Sequence, residues 1–112
     1  MNFENQTALI TGSSGGIGED FAVEFAKRKV NLILVARRED KLAQLRTRLL
    51  ELSPGLTIDV IAADLSVPGS AAELAAKVSD LGRKVDILIN NAGVGLHGDF
   101  VKQGVAENSA QI

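Results

Sequence analysis

The chain has 112 residues, of which 46% are hydrophobic and 23% are charged, and its formal net charge at pH 7 is -2. This composition is close to the globular average, which excludes disordered and fibrous classes. The length allows one domain at most. The small negative charge gives no general attraction to nucleic acid or to an anionic membrane.

Cysteine is absent, which excludes a disulfide framework, a thiolate nucleophile and a cysteine-based metal site. No group of histidine and acidic residues has metal-ligand spacing either. The amino-terminal residues are polar and lack the basic flank and apolar stretch of a signal peptide, and no run approaches the roughly 20 apolar residues that span a bilayer. We therefore expect a soluble, cytoplasmic protein without metal, nucleic-acid or membrane partners.

Short apolar runs rich in Val, Ile, Leu and Thr recur along the chain, and each is too short for a helix. They predict strands that are buried on both faces, at residues 7–10, 31–36, 56–62 and 85–89. Amphipathic patterns between them predict helices at residues 17–29, 39–52 and 70–81.

Strands that alternate with helices of these lengths indicate βαβ units, and right-handed crossovers then dictate a parallel sheet. The predicted fold class is α/β: a Rossmann-type doubly wound sheet whose first four strands lie in the order 3-2-1-4, with helices on both faces. Residues 105–112 are expected to begin one more helix. A doubly wound sheet normally continues beyond its fourth strand, which would otherwise be an apolar edge that invites pairing, so we expect residues 1–112 to be the N-terminal part of one longer domain.

A glycine-rich stretch at residues 11–18, Thr-Gly-Ser-Ser-Gly-Gly-Ile-Gly, lies where the first strand gives way to the first helix. Glycine leaves the backbone open to a ligand, and the free N–H groups at a helix start attract phosphate. The pattern predicts that Gly12 makes the turn, Gly16 admits a diphosphate, and Gly18 lets helix and strand pack closely. A P-loop is excluded, because it needs Lys followed by Ser or Thr after its last glycine, whereas Gly18 is followed by Glu19 and Asp20. The alternative is a connecting loop that binds nothing.

Two arginines, Arg37 and Arg38, directly follow the second strand, where a dinucleotide domain holds the adenine ribose. An acidic residue here would bind the ribose 2′-OH and favour NAD(H), whereas a guanidinium matches phosphate oxygens in a bidentate way. The pair therefore predicts a 2′-phosphate, and hence NADP(H). Ser13 and Ser14 are further hydroxyl donors. Alternatively, the arginines belong to a solvated helix start, and two adjacent side chains seldom both face one ligand.

Polar residues also follow the third and fourth strands. Asp64 lies just beyond the carboxyl end of the third strand, at the rim where ligands bind, and its carboxylate can accept a hydrogen bond from an adenine amino group. Alternatively, Asp64 or Ser66 caps the next helix. The Asn-Asn-Ala-Gly run at residues 90–93 either ties adjacent strand ends together through its amides or forms an ordinary turn.

Together, the glycine-rich stretch, the Asp64-Leu65 pair and the Asn-Asn-Ala-Gly run resemble the motifs of the short-chain dehydrogenases/reductases, in the correct order at strand ends. The resemblance covers essentially the whole chain. It implies that the first motif binds the cofactor diphosphate, that Asp64 contacts adenine, and that the last motif supports the central strand and approaches the cofactor ribose. The basic pair resembles that of NADP-preferring members. The cofactor-binding residues that follow are Gly12, Ser13, Ser14, Gly16, Ile17, Gly18, Arg37, Arg38, Asp64, Leu65, Asn91, Ala92 and Gly93.

The family's chemistry uses a Ser and a Tyr-x-x-x-Lys pair, but this sequence contains no tyrosine. We therefore assign no catalytic residue and expect the 112-residue chain alone to be inactive. The resemblance implies the cofactor-binding part of an oxidoreductase that transfers hydride between NADP(H) and a small carbonyl or alcohol, and that forms homo-oligomers when full length. The alternative is a non-catalytic NADP(H)-binding module or a truncated gene product.

Overall fold

The structure is a computed structural model, and it describes residues 4–91 together with a strand at residues 106–108. Strands and helices alternate along residues 4–91 as the sequence predicts. In chain order the elements are β1 (Thr7–Thr11), α1 (Gly16–Lys27), β2 (Asn31–Ala36), α2 (Glu39–Leu52), β3 (Ile58–Ala62), α3 (Ser70–Asp80), β4 (Ile87–Asn90) and β5 (Ala106–Asn108). Within residues 4–91, no helix combines the length and the apolar character that crossing a bilayer requires.

The strands form a parallel sheet in the order β3-β2-β1-β4-β5. The predicted Rossmann-type arrangement, with its first four strands in the order 3-2-1-4, is therefore confirmed. Thr11 at the end of β1 is paired with Val35 on one side and with Asn90 on the other. This register brings the carboxyl ends of β2, β1 and β4 to one edge of the sheet.

Helices cover both faces of the sheet, and each face has its own apolar core. On one face Ala8 and Ile10 of β1 pack in a core shared with α1 and α2. On the other face Leu9 packs against α3, through Leu74 and Val78. Burial on both faces is confirmed for β1, β2 and β4, whereas β3 is half-exposed because it is an edge strand.

The first helix buries small residues rather than its most apolar ones. Its buried positions are Gly18, Ala22 and Ala26, whereas Phe21 and Phe25 are only partly buried and Ile17 is exposed. The helix therefore lies close to the sheet, which small side chains permit. It ends at Lys27, before the predicted residue 29, because Lys29 takes a positive φ of 61° that the helix cannot continue through.

The sequence predicts a helix at residues 105–112. The structure describes residues 106–108 of this segment, and there the prediction is wrong. Ala106–Asn108 is a strand, and Ala106 pairs with Ile87 of β4 in parallel. The backbone N–H and C=O groups along the free side of a buried strand favour a pairing partner. The sheet thus continues beyond β4, and β5 pairs with the edge that would otherwise be free.

An arginine that the sequence analysis did not single out joins the amino ends of the first three strands. Arg83 donates from Nη1 to the Leu32 carbonyl (3.2 Å) and to the Asp59 carboxylate, and from Nη2 to Thr7 Oγ1 (3.2 Å) and the Thr57 carbonyl (3.5 Å). Its side chain is 15% exposed, so most of these bonds are shielded from water. Arg83 thus links three strands through one side chain.

We expect Arg83→Met to lower the free energy of unfolding by about 2 kcal/mol, because the apolar stem is kept while partly buried acceptors lose their donor. Urea unfolding checks this value. The matched control is Lys84→Met, since the Lys84 side chain is 79% exposed and lies 3.9 Å from Asp86; its expected effect is below about 0.5 kcal/mol. Equal effects of the two substitutions would contradict the role of Arg83.

Candidate functional site

A cavity of about 380 Å³ lies at the edge of the sheet where the carboxyl ends of β1, β2 and β3 meet. In open parallel sheets ligands bind outside this edge. The lining combines backbone, apolar and charged groups, from Gly12, Ser14, Val35, Ala36, Arg37, Arg38, Ala63, Asp64, Leu65 and Ser66. Parallel strands thus bring together motifs that are far apart in the sequence.

The glycine-rich stretch forms the turn from β1 into α1 and brings them into close contact. Gly12 and Gly16 have positive φ values of 65° and 48°, which favour glycine. A Cβ on Gly16 would meet nothing within 4 Å, whereas a Cβ on Gly18 would lie 2.3 Å from the Gly12 carbonyl oxygen. Gly18 is therefore required by packing, whereas the Cβ position of Gly16 is open and Gly16 does not line the cavity.

The two serines of this stretch face different ways. Ser13 is fully buried, and both its amide and its Oγ donate to the Val35 carbonyl at 3.2 Å. Ser14 instead lines the cavity. The structure thus brings Ser14 to the site and leaves Ser13 as a link between β1 and β2. Ile17 is 38% exposed on α1 and does not line the cavity.

Two asparagines tie β4 to the end of β1. Thr11 donates from Oγ1 to Asn90 Oδ1 (3.2 Å), and Asn91 donates from Nδ2 to the Gly12 carbonyl (3.3 Å). Of the two interpretations of this motif, the amide link between strand ends is therefore observed. The predicted site residues Ala92 and Gly93 lie outside the described residues.

The two arginines after β2 both line the cavity but differ in their partners. Arg38 binds the carboxylate of Asp40 in a bidentate way, from Nε to Oδ1 (3.3 Å) and from Nη2 to Oδ2 (2.9 Å). This hydrogen bonding lowers the pKa of Asp40 below its ordinary value. Among residues 4–91, Arg37 forms no hydrogen bond and no ion pair, so its guanidinium is available to a ligand.

Asp64 begins a tight turn after β3, in which the Val67 amide donates to the Asp64 carbonyl at 3.2 Å. Its Oδ1 accepts hydrogen bonds from the Ser66 hydroxyl (2.6 Å) and the Ser66 amide (3.0 Å). The pKa of Asp64 lies below its ordinary value, mainly because of the hydrogen bond from the Ser66 hydroxyl and then because of the one from the Ser66 amide. The charge of Arg37 lowers it further, to a smaller extent. The helix-cap alternative is wrong, because α3 begins only at Ser70 and its cap residue is Gly69. Asp64 is therefore an ionised carboxylate at the cavity.

Several lining residues were not identified as site residues from the sequence. Val35 and Ala36 are the last residues of β2, and Ala63 is the first residue after β3. Ser66 was considered only as a cap. The signal that identifies all four is their place at the carboxyl ends of parallel strands. In the part of the chain that the structure describes, no cluster of three metal-ligating side chains occurs.

The doubly wound parallel sheet, with its glycine turn at the carboxyl edge, defines a Rossmann-type protein. The sequence profile of the short chain dehydrogenases matches residues 6–111. The chain belongs to the short chain dehydrogenase family.

The chain is also similar to individual members of this family. It is 38% identical over 94 residues to an 11-beta-hydroxysteroid dehydrogenase of Pinus massoniana, covering 84% of this chain and 26% of the relative. Among solved structures, L-sorbose reductase from Gluconobacter frateurii, complexed with NADPH and L-sorbose, has 36% identity and a TM-score of 0.74, with 85% of this chain and 36% of that one covered. A bulky-bulky ketone specific alcohol dehydrogenase from Comamonas testosteroni has 45% identity and a TM-score of 0.70, and the match covers 81% of this chain and 37% of that protein. The chain thus spans about a quarter to just over a third of the length of these proteins.

Proposed function

We propose that this chain is the cofactor-binding part of an NADP(H)-dependent oxidoreductase that acts on a small carbonyl or alcohol substrate. The observation that carries the proposal is Arg37, a cationic side chain on the cavity wall that forms no hydrogen bond and no ion pair among residues 4–91. A guanidinium at the end of the second strand suits a ribose 2′-phosphate. The NADPH complex of the related L-sorbose reductase supports the same cofactor here.

The residues at the cavity have complementary roles toward this cofactor. Gly12 lines the cavity and Gly16 begins α1 at an open position, so that the free amides at the start of this helix bind the diphosphate. Ser14 adds a hydroxyl donor, and the ionised Asp64 accepts a hydrogen bond from the adenine amino group. Arg37 binds the 2′-phosphate through its guanidinium, and Arg38 lies beside it at the same cavity.

When bound, NADP(H) supplies or accepts the hydride, and the protein binds and orients it. We assign no catalytic residue to the 112 residues, so this chain alone is expected to bind the cofactor without turning over a substrate. Substrate binding and association into homo-oligomers then belong to the whole enzyme.

Calorimetric titration of the purified protein with NADPH and with NADH tests the proposal. We expect NADPH to bind about 10- to 100-fold more tightly, because hydrogen bonds to a charged group contribute roughly 1.5–3 kcal/mol. The diphosphate, ribose and nicotinamide are common to both ligands, so the ratio isolates the 2′-phosphate. Equal affinities, or tighter binding of NADH, would contradict the proposal.

A further inference from the structure

The ion pair between Arg38 and Asp40 lies at the rim of the cavity. Arg38 lines the cavity, yet Nε and Nη2, which form one side of its guanidinium fork, already bind both oxygens of the Asp40 carboxylate. Arg37, one residue earlier, has no such partner among residues 4–91. Two arginines that look equivalent in the sequence are therefore unequal in the site.

The ion pair changes both the charge and the geometry that Arg38 offers. The Asp40 carboxylate cancels the charge of Arg38, so a phosphate at this rim meets a net charge of about one rather than about two from the arginine pair. A phosphate that needs the occupied side of the fork also competes with Asp40 for it. Both effects weaken the binding of a phosphate by Arg38, because this side chain already binds the Asp40 carboxylate.

We infer that Asp40 is a specificity-determining residue, which limits the preference for a 2′-phosphorylated cofactor by holding Arg38 and leaves Arg37 as the main phosphate ligand. This inference rests on the proposed function. Asp40 acts here through Arg38 and not by touching the cofactor. The side chains of Arg38 and Asp40 are 66% and 57% exposed, so the ion pair is a surface pair of modest strength.

Adenosine 2′,5′-bisphosphate and adenosine 5′-monophosphate are the probes, because they differ only in the phosphate concerned and need no nicotinamide site. We expect Asp40→Asn to strengthen binding of the bisphosphate roughly two- to five-fold, the range for release of a surface ion pair. Binding of the monophosphate should stay unchanged. Calorimetric titration at ~0.1 M salt, where the Debye length is about 10 Å, limits the contribution of charges that make no contact.

Two further variants separate the ion pair from a general charge effect. Glu39→Gln removes the same charge one residue away, at an exposed position that makes no hydrogen bond to Arg38 in residues 4–91, and should change bisphosphate binding less. In an Arg38→Gln background, Asp40→Asn should have no effect, since the interaction it relieves is already gone.

The outcomes also separate this inference from the proposed function. If the unmodified protein prefers the bisphosphate but Asp40→Asn weakens its binding, leaves it unchanged, or acts equally without Arg38, the inference alone fails. If the unmodified protein does not prefer the bisphosphate, the proposed cofactor is wrong and the inference fails with it.

Discussion

Gly18→Ala is expected to lower the free energy of unfolding by about 3 kcal/mol, at the upper end of the usual cost of overpacking. The added Cβ would lie 2.3 Å from the Gly12 carbonyl oxygen and 2.9 Å from both the Gly12 carbonyl carbon and the Ser13 Cα. These are backbone atoms, so no side-chain rotation relieves the contact. The start of α1 must therefore move away from the end of β1.

The same movement should weaken cofactor binding. The displaced Gly12 carbonyl also accepts the hydrogen bond from Asn91, so the shift disturbs the link to β4. We expect NADPH affinity to fall about tenfold or more, which corresponds to 1.4 kcal/mol or more. Urea unfolding and calorimetric titration measure the two effects.

Gly55→Ala is the matched control for this substitution. A Cβ on Gly55 would meet nothing within 4 Å, and its φ is not in the left-handed region. Its effect on unfolding should be small, or stabilising by up to about 1 kcal/mol, because alanine restricts the unfolded chain. If Gly18→Ala were as harmless as Gly55→Ala, the close contact of α1 with the turn would be refuted.

Arg37→Asp is expected to reverse the cofactor preference. The substitution removes the cation that meets the 2′-phosphate and introduces a carboxylate, which repels that phosphate and accepts a hydrogen bond from a ribose 2′-OH. NADPH affinity should fall about 100-fold, as loss of one or two charge-assisted hydrogen bonds predicts, and NADH should then bind more tightly than NADPH. Parallel titrations with both nucleotides check the order.

Lys41→Asp makes the same change in net charge four residues away, at an exposed position outside the cavity lining. It should leave NADPH as the tighter ligand, because screening weakens charges that make no contact. A reversal in this control would show that general charge, and not Arg37, sets the preference. Unchanged preference in Arg37→Asp would remove Arg37 from the site.

The sheet could be predicted because its signals are local and repeat along the chain. The apolar runs and helical patterns gave the bounds of β2 and α2 as the structure has them, and strand ends elsewhere differ by a few residues. Parallel order then brings Gly12, Arg37 and Asp64 to one edge, which explains why residues far apart in sequence were correctly expected to meet.

Features that depend on side-chain direction, or on distant contacts that the parallel strand order does not imply, were not predictable. Ser13 and Ser14 are identical in type, and only the backbone path through the turn sends one into the interior and the other to the cavity. Arg83 looks like any arginine near a helix end, and its four acceptors come from three different strands or their flanks. The pairing of Ala106 with β4 is likewise a distant contact with no local pattern.

The asparagine links from β4 make the carboxyl edge of the sheet depend on residues that are far apart in the sequence. Thr11 meets Asn90, and Gly12 meets Asn91, across 79 positions each, so the edge exists only once the amino-terminal and later parts of the chain have come together. A ligand that recognises this edge binds the native state and not the denatured one. We expect the proposed cofactor, as such a ligand, to raise the melting temperature as its concentration rises.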